Sequence, residues 1–213
     1  MAGLNGLGAR GDERLGHVIP MIGHDLRNKL GVMRNSAYYL NMKVGGQSEK
    51  LAKHVGILLE EIDMSSWIVA NLMNLTAPKP PTPVETNVNA LVNDVLNRSR
   101  MLRGVQVVRS LAANLPVVGA DPDQLARAVE NVVVCQCASL GQDGGLRVVS
   151  RAYASKVYIE LIDSGPGLSE AEQARLFDLE HADGFSALKV GLVVARRLIE
   201  LNHACLEVAS KRG

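Results

Sequence analysis

Two apolar stripes of helical period fill the first third of the chain and narrow what it can fold into. From Leu15 to Lys43 the apolar positions Ile19, Ile22, Leu26, Leu30, Met33, Ala37 and Leu40 recur at steps of three and four, the pattern of one continuous amphipathic helix. Gly45-Gly46 stops it, and Ser48 with Glu49 behind it starts a second helix that runs to about Thr76. Leu51, Val55, Leu58, Ile62, Val69 and Leu72 form the second stripe. At the usual rise per residue each helix is about 40 Å long. A lone hairpin cannot bury two such stripes. Two hairpins paired into a four-helix bundle can, and a homodimer is the simplest way to supply the second. Residues 1–14 lack the apolar run of a signal peptide and read as a flexible N-terminus ahead of this 15–76 hairpin.

The composition changes after the hairpin. "APKPPTPVE" carries four prolines, ends the second helix and reads as a semi-rigid linker over 77–86. Residues 87–213 then alternate element types. Asn87 caps a helix over 88–102, and β-branched runs follow at 105–111 and 115–118. Asp121-Pro122 is a strong helix start for a helix carrying Leu125, Val129, Val132 and Val133. Strands are expected at Leu146–Ala152 and Lys156–Asp163, around the turn "GQDGG". Ser169 with Glu172 forms a capping box for a short helix to Phe177. A last helix over about 190–203 and a short strand over 206–209 complete a mixed sheet covered by helices. The fold class is therefore α + α/β: a long helical hairpin, then an α/β sandwich.

Charge excludes several function classes. With 23 basic and 22 acidic residues the net charge is +1, so no broad field points to nucleic acid or anionic lipid. No run is long and apolar enough to span a bilayer, and the expected location is the cytoplasm. Cys135-Gln136-Cys137 is too tight for a zinc pair and has no matching second pair, so the cysteines read as small buried residues.

His24 lies on the polar side of the first helix. On a helical wheel it lies opposite Ile22 and Leu26 and faces solvent, with Asp25 beside it and Asn28 one turn along. Taken alone it reads as an ordinary surface histidine. With an acid to orient it and an amide within reach, an exposed imidazole is also a competent nucleophile toward a phosphoryl group.

"GHDLRNKLGVMRNSAYYL" resembles the H-box of the sensor histidine kinases, and the hairpin resembles their dimerisation and histidine-phosphotransfer (HisKA) domain. The resemblance implies that His24 is the phospho-acceptor, Asp25 the adjacent acid, and Asn28 the amide that positions water for dephosphorylating a partner. Family members usually carry proline after that asparagine. Lys29 stands here, so a straighter helix is expected.

The element order over 87–213 resembles the ATP-binding (HATPase, GHKL-type) domain of the same kinases. "DSGPGL" matches their first glycine-rich box, which implies that Asp163 accepts the adenine amine while Gly165 and Gly167 let the backbone approach the base. Two other boxes depart from the family. Asn131 matches the first asparagine of the asparagine-rich helix, but Cys135 stands where a second asparagine normally holds magnesium, and a soft thiol does not suit that hard cation. The second glycine-rich box reads "ALKVGL", keeps only Gly191 and places Lys189 where a glycine is usual. The lysine costs the close approach of phosphate to backbone, although its ammonium could itself hold a phosphate. Phosphoryl transfer from ATP depends on the metal that these residues no longer provide for.

The expectation is therefore a degenerate kinase. It relays phosphoryl groups through His24 to or from a response-regulator aspartate, as a homodimer, and resembles phosphotransferases built like crippled kinases. ATP and magnesium serve as cofactors only if the altered site still works. Two alternatives stand beside it: an active ATP-dependent kinase core, and a non-catalytic adaptor that binds a response regulator.

Overall fold

A computed structural model describes residues 5–44, 48–77, 79–140, 143–179 and 187–212. The chain divides into two compact units, one ending at Lys79 and the other beginning at Pro80.

The first unit is a hairpin of α1 (Asn5–Val44) and α2 (Glu49–Thr76). Helix α1 begins at Asn5, ahead of the flexible start expected for residues 1–14. Gly6, Gly8 and Gly11 weaken helix formation there, but no proline falls within residues 5–14 and Leu7, Ala9, Arg10, Glu13 and Arg14 are good helix formers. Helix α1 also runs unbroken through Lys29. Ser48 caps α2 by accepting from the Leu51 N–H at 3.4 Å. The expected stop at Gly45-Gly46 lies outside the described residues.

The apolar stripes divide into two roles. Ala37 on α1 meets Val55 and Leu59 on α2, with Ile62 packed against them, and this narrow seam closes the hairpin. Ile22, Leu26, Met33 and Leu40 of α1 each remain about half exposed, as do Leu51 and Leu58 of α2.

The second unit runs β1 (Val84–Thr86), α3 (Val88–Arg98), a single 3-10 turn (Arg100–Leu102), β2 (Gln106–Leu111), β3 (Val118–Ala120), α4 (Pro122–Ser139), β4 (Gly145–Tyr153), β5 (Lys156–Asp163), α5 (Glu170–Ala174) and α6 (Ala187–Leu201). Strands β1 and β3 form an antiparallel pair, and a second sheet has the order β2-β4-β5. Strand β2 runs parallel to β4, and β4 runs antiparallel to β5 with Leu146 opposite Asp163. The core joins Val88, Val92 and Leu96 of α3 to Val133 of α4 and to Leu146 and Val148 of β4.

Four details differ from the sequence reading. The tail of the proline-rich segment is strand β1, because prolines at 81 and 83 enforce extended backbone that suits the start of a short strand. The strand expected over 115–118 starts only at Val118, since Pro116 has no N–H to donate. The hairpin between β4 and β5 turns at Ala154-Ser155, with Ala154 at φ 52°, rather than at "GQDGG", whose residues 141–142 are not described. No strand forms over 206–209: Ser210 is instead held by the Leu168 N–H at 2.8 Å and by Gln173 Nε2 at 3.1 Å.

Asp121 ties the start of the second unit to α4. Its Oδ1 accepts from the Asp123 and Gln124 N–H groups, and its Oδ2 accepts from the Thr82 N–H at 2.8 Å. Burial tends to raise its carboxyl, but the donors Thr82, Gln124 and Asp123 outweigh it and hold the group below its ordinary 3.8. A lowered folded-state value stabilises above the unfolded value and is lost as pH falls through the folded one. Asp121→Ala is therefore expected to lower stability at neutral pH by about 1–2 kcal/mol. Thermal melts of wild type and variant should differ at pH 7 and converge as pH falls below about 4; an undiminished gap in acid would contradict this account of the cap.

Candidate functional site

His24 sits on the exposed side of α1, and two side chains gather at its Nδ1. Asp25 Oδ1 lies 3.9 Å away and Asn28 Nδ2 lies 3.3 Å away. The imidazole and the carboxylate side chains are 67% and 77% exposed, so the pair orients a ring and adds little to stability. Attack through Nε2 requires the ring proton on Nδ1. The Asn28 amide can accept that proton's hydrogen bond after a half-turn exchanges its O and N, and the Asp25 carboxylate, at 3.9 Å, favours the same proton position by its charge. This arrangement leaves the Nε2 lone pair free.

Behind His24, the hairpin packs closely. A side chain on Gly23 would meet Cγ and Sδ of Met73 at 2.6 Å, and Arg27 Nη2 lies 3.1 Å from the same sulfur. Met73 of α2 therefore fills the space that a larger residue at 23 would need. Sequence reasoning missed this contact, which no periodicity encodes.

In the second unit the expected nucleotide-binding residues do come close together, but they bond chiefly to one another and to their own backbone. Asn131 is fully buried, and its Nδ2 donates to the Gly191 carbonyl at 3.0 Å. One turn on, the Cys135 thiol donates to the Leu188 carbonyl at 3.2 Å, and burial pushes that thiol up to about 12. Asp163 accepts from the Gly165 N–H at 2.8 Å through Oδ1 and from Gln136 Nε2 at 3.0 Å through Oδ2. Gln136 Nε2 also donates to the Leu161 carbonyl at 2.8 Å. The sequence reading named Gln136 only as the spacer between two cysteines and gave it no role; its place on α4, next to Cys135, was the available signal.

Each glycine has a structural demand of its own. A Cβ on Gly165 would lie 2.7 Å from Asp163 Oδ1, and Gly167 has φ +72° with the Lys211–Arg212 backbone packed against it. The whole of "ALKVGL" lies in α6, so the Gly191 amide belongs to a helix rather than a loop, and Lys189 is half-buried in the first turn.

These residues do not fit a magnesium nucleotide at the phosphate end. A thiol kept protonated by burial, and donating to the Leu188 carbonyl, offers a hard cation nothing. Among the described residues no group of three His, Cys, Asp or Glu side chains could hold a metal ion. At the base end Asp163 keeps unused acceptor capacity beside its two donors.

The cysteines give a direct check of this packing. Cys205 is exposed, Cys135 is half-buried with its thiol bonded to the Leu188 carbonyl, and the Cys137 thiol is raised by burial and by the nearby Asp163 charge. Alkylation of the native protein at pH 8.5 is expected to modify Cys205 first and leave Cys135 protected until the domain unfolds. Peptide mass mapping reads the order; labelling of Cys135 as fast as Cys205 would contradict the clasped arrangement.

No protein-family model matches the chain. It is 25% identical over 204 residues to the sensor histidine kinase ZraS of Escherichia coli, covering 93% of this chain and 43% of that protein. It is 25% identical over 205 residues to the sensory histidine kinase/phosphatase NtrB of Shigella flexneri, covering 90% of this chain and 58% of that one. The chain thus spans less than two thirds of the length of these relatives. In fold it is similar to full-length ShkA in complex with AMPPNP, with a TM-score of 0.60 and 20% identity over 87% of this chain and 41% of that one. It is also similar to histidine kinase ThkA in complex with the response regulator protein TrrA, with a TM-score of 0.57 and 22% identity over 89% of this chain and 56% of that one. No helix among the described residues is long and apolar enough to cross a membrane. Sequence likeness over nearly the whole chain, and a helical hairpin followed by an α/β unit, make the chain similar to the HisKA-plus-HATPase core of the sensor histidine kinases.

Proposed function

We propose that the chain is a two-component phosphotransfer protein that exchanges phosphoryl groups between His24 and a response-regulator aspartate, without drawing them from ATP. The observation that carries this reading is the contrast between the two sites. His24 is exposed with Asp25 and Asn28 gathered at Nδ1, whereas Asn131, Cys135 and Asp163 are bonded within the protein.

The step needs no metal on this chain. Nε2 of His24 attacks the phosphorus of an aspartyl phosphate, the N–P bond forms, and the P–O bond to the aspartyl carboxylate breaks. The carboxylate leaves with the electron pair. The imidazole proton stays on Nδ1, where Asp25 stabilises the developing positive charge. An acyl phosphate has the transfer potential to drive this, and the protein's contribution is orientation. The reverse step returns the group to another receiver, and Asn28 serves removal by orienting water at the receiver's phosphate. Support for a response-regulator partner comes from ThkA, whose structure holds one.

A homodimer through the hairpin completes the reading. Ile22, Leu26, Met33 and Leu40 lie on one side of α1 and stay half exposed in the single chain, and burying them needs a second hairpin. The rival reading, an ATP-dependent kinase, is favoured by the retained Asp163–Gly167 loop, by Asn131 and Gly191, and by the likeness to sensor histidine kinases.

Incubation with a radiolabelled phospho-receiver tests the phosphotransfer. Wild type is expected to gain acid-labile, base-stable label. His24→Gln should abolish it without unfolding the exposed site. Asn28→Ala should accept phosphate but slow its removal from the receiver by roughly 10- to 100-fold. Label on His24→Gln, or none on wild type with any cognate receiver, would leave the adaptor reading in its place. Light scattering at micromolar concentration is expected to give a dimer mass, and a monomer would refute the shared bundle.

A further inference from the structure

We infer that helix α4 has become an internal clasp, which holds the HATPase-type unit closed by contacts of its own where a nucleotide would otherwise be needed. This rests on the reading above that ATP is not the phosphate source, and it deepens that reading by saying what replaced the nucleotide. A site that had merely decayed would leave polar side chains lining an open cleft. Here three donors on α4 each have an acceptor on a neighbouring element. Asn131 and Cys135, one turn apart, donate to the Gly191 and Leu188 carbonyls in the first turns of α6. Gln136 reaches the other way, to the Leu161 carbonyl and the Asp163 carboxylate at the end of β5.

The clasp acts on both glycine-rich boxes. By holding Leu188 and Gly191 it fixes the segment "ALKVGL" as helix, with Lys189 between the two held carbonyls. By holding Asp163 it occupies one oxygen of the carboxylate that the family offers to adenine. The orientation of the Gln136 amide is determined by its surroundings, because a half-turn would set its oxygen against the Leu161 carbonyl and the Asp163 carboxylate. Among the described residues its buried Oε1 has no partner, a cost borne for the two bonds on the nitrogen side. Cys135 takes part only as a protonated thiol, which its burial ensures.

Cys135 and Gln136 therefore contribute to stability, and neither is a neutral relic. Cys135→Ala is expected to lower Tm by roughly 2–6 °C and to speed hydrogen exchange in the first two turns of α6 at least tenfold. Cys135→Ser, which restores a donor, should recover most of both. Wild type should show no change in Tm with millimolar ATP and magnesium. The triple variant Cys135→Asn, Gln136→Ala, Lys189→Gly should lose stability alone and regain part of it with magnesium ATP. A saturable rise of wild-type Tm with magnesium ATP would overturn the inference. So would unchanged Tm and exchange in Cys135→Ala, or a triple variant that shows no response to nucleotide. Should Cys135→Ala fail to fold, Gln136→Leu gives the same two readouts, and no change in either would count equally against the clasp. Labelling of wild-type His24 by a phospho-receiver, measured in parallel, separates failure of the clasp from failure of the phosphotransfer reading.

Discussion

The buried hydrogen bond from Asn131 to the Gly191 carbonyl is the contact around which the second unit is organised. It joins two helices that carry buried apolar residues, Ala128 and Val134 on α4 and Val190, Val194 and Leu198 on α6. A polar pair set in such surroundings must be satisfied, because an orphaned carbonyl or amide there costs about 1–3 kcal/mol. That requirement fixes how α6 meets α4, which in turn brings the Leu188 carbonyl within reach of Cys135. Gln136 then extends the same set of donors to β5 and the Asp163 loop. Residues that a nucleotide-dependent kinase keeps for its ligand are here engaged by the fold.

The hairpin follows the opposite logic. Its closing seam is narrow, and Gly23 lets the Met73 side chain pack against α1 beside His24. His24 itself is left in solvent, where a partner's phosphoryl group can reach it, and its two polar neighbours are set by helical spacing alone: Asp25 adjacent and Asn28 one turn on. A reactive residue of this kind needs few tertiary contacts, only a rigid helix beneath it. The second unit needs many. The two halves of the chain thus rely on different physics, exposure in one and satisfied burial in the other.

That difference also governs what could be read from the sequence. The helix pair, the caps at Ser48, Asn87, Asp121 and Ser169, and strand β5 were legible because they depend on local periodicity and capping chemistry. Strand β1 was not, since its partner β3 lies more than thirty residues away and its prolines suggested a spacer. Nor was the lack of a strand over 206–209, where Ser210 and Gln173 decide the local bonding. At the candidate site, His24, Asp25 and Asn28 fall together as their spacing requires. The second cluster was picked out by position alone, but the partners of Asn131, Cys135 and Asp163 depend on helix packing, and nothing in the spacing showed that the Gln136 amide would lie between Leu161 and Asp163.

The central claim is that phosphate reaches His24 from a partner's acyl phosphate and not from ATP. The most direct measurement incubates the intact wild-type protein with γ-labelled ATP and magnesium, beside a second sample given labelled phospho-receiver, and assays both for acid-labile, base-stable label at His24. The account predicts label in the second sample only. Label on His24 from ATP alone would contradict it.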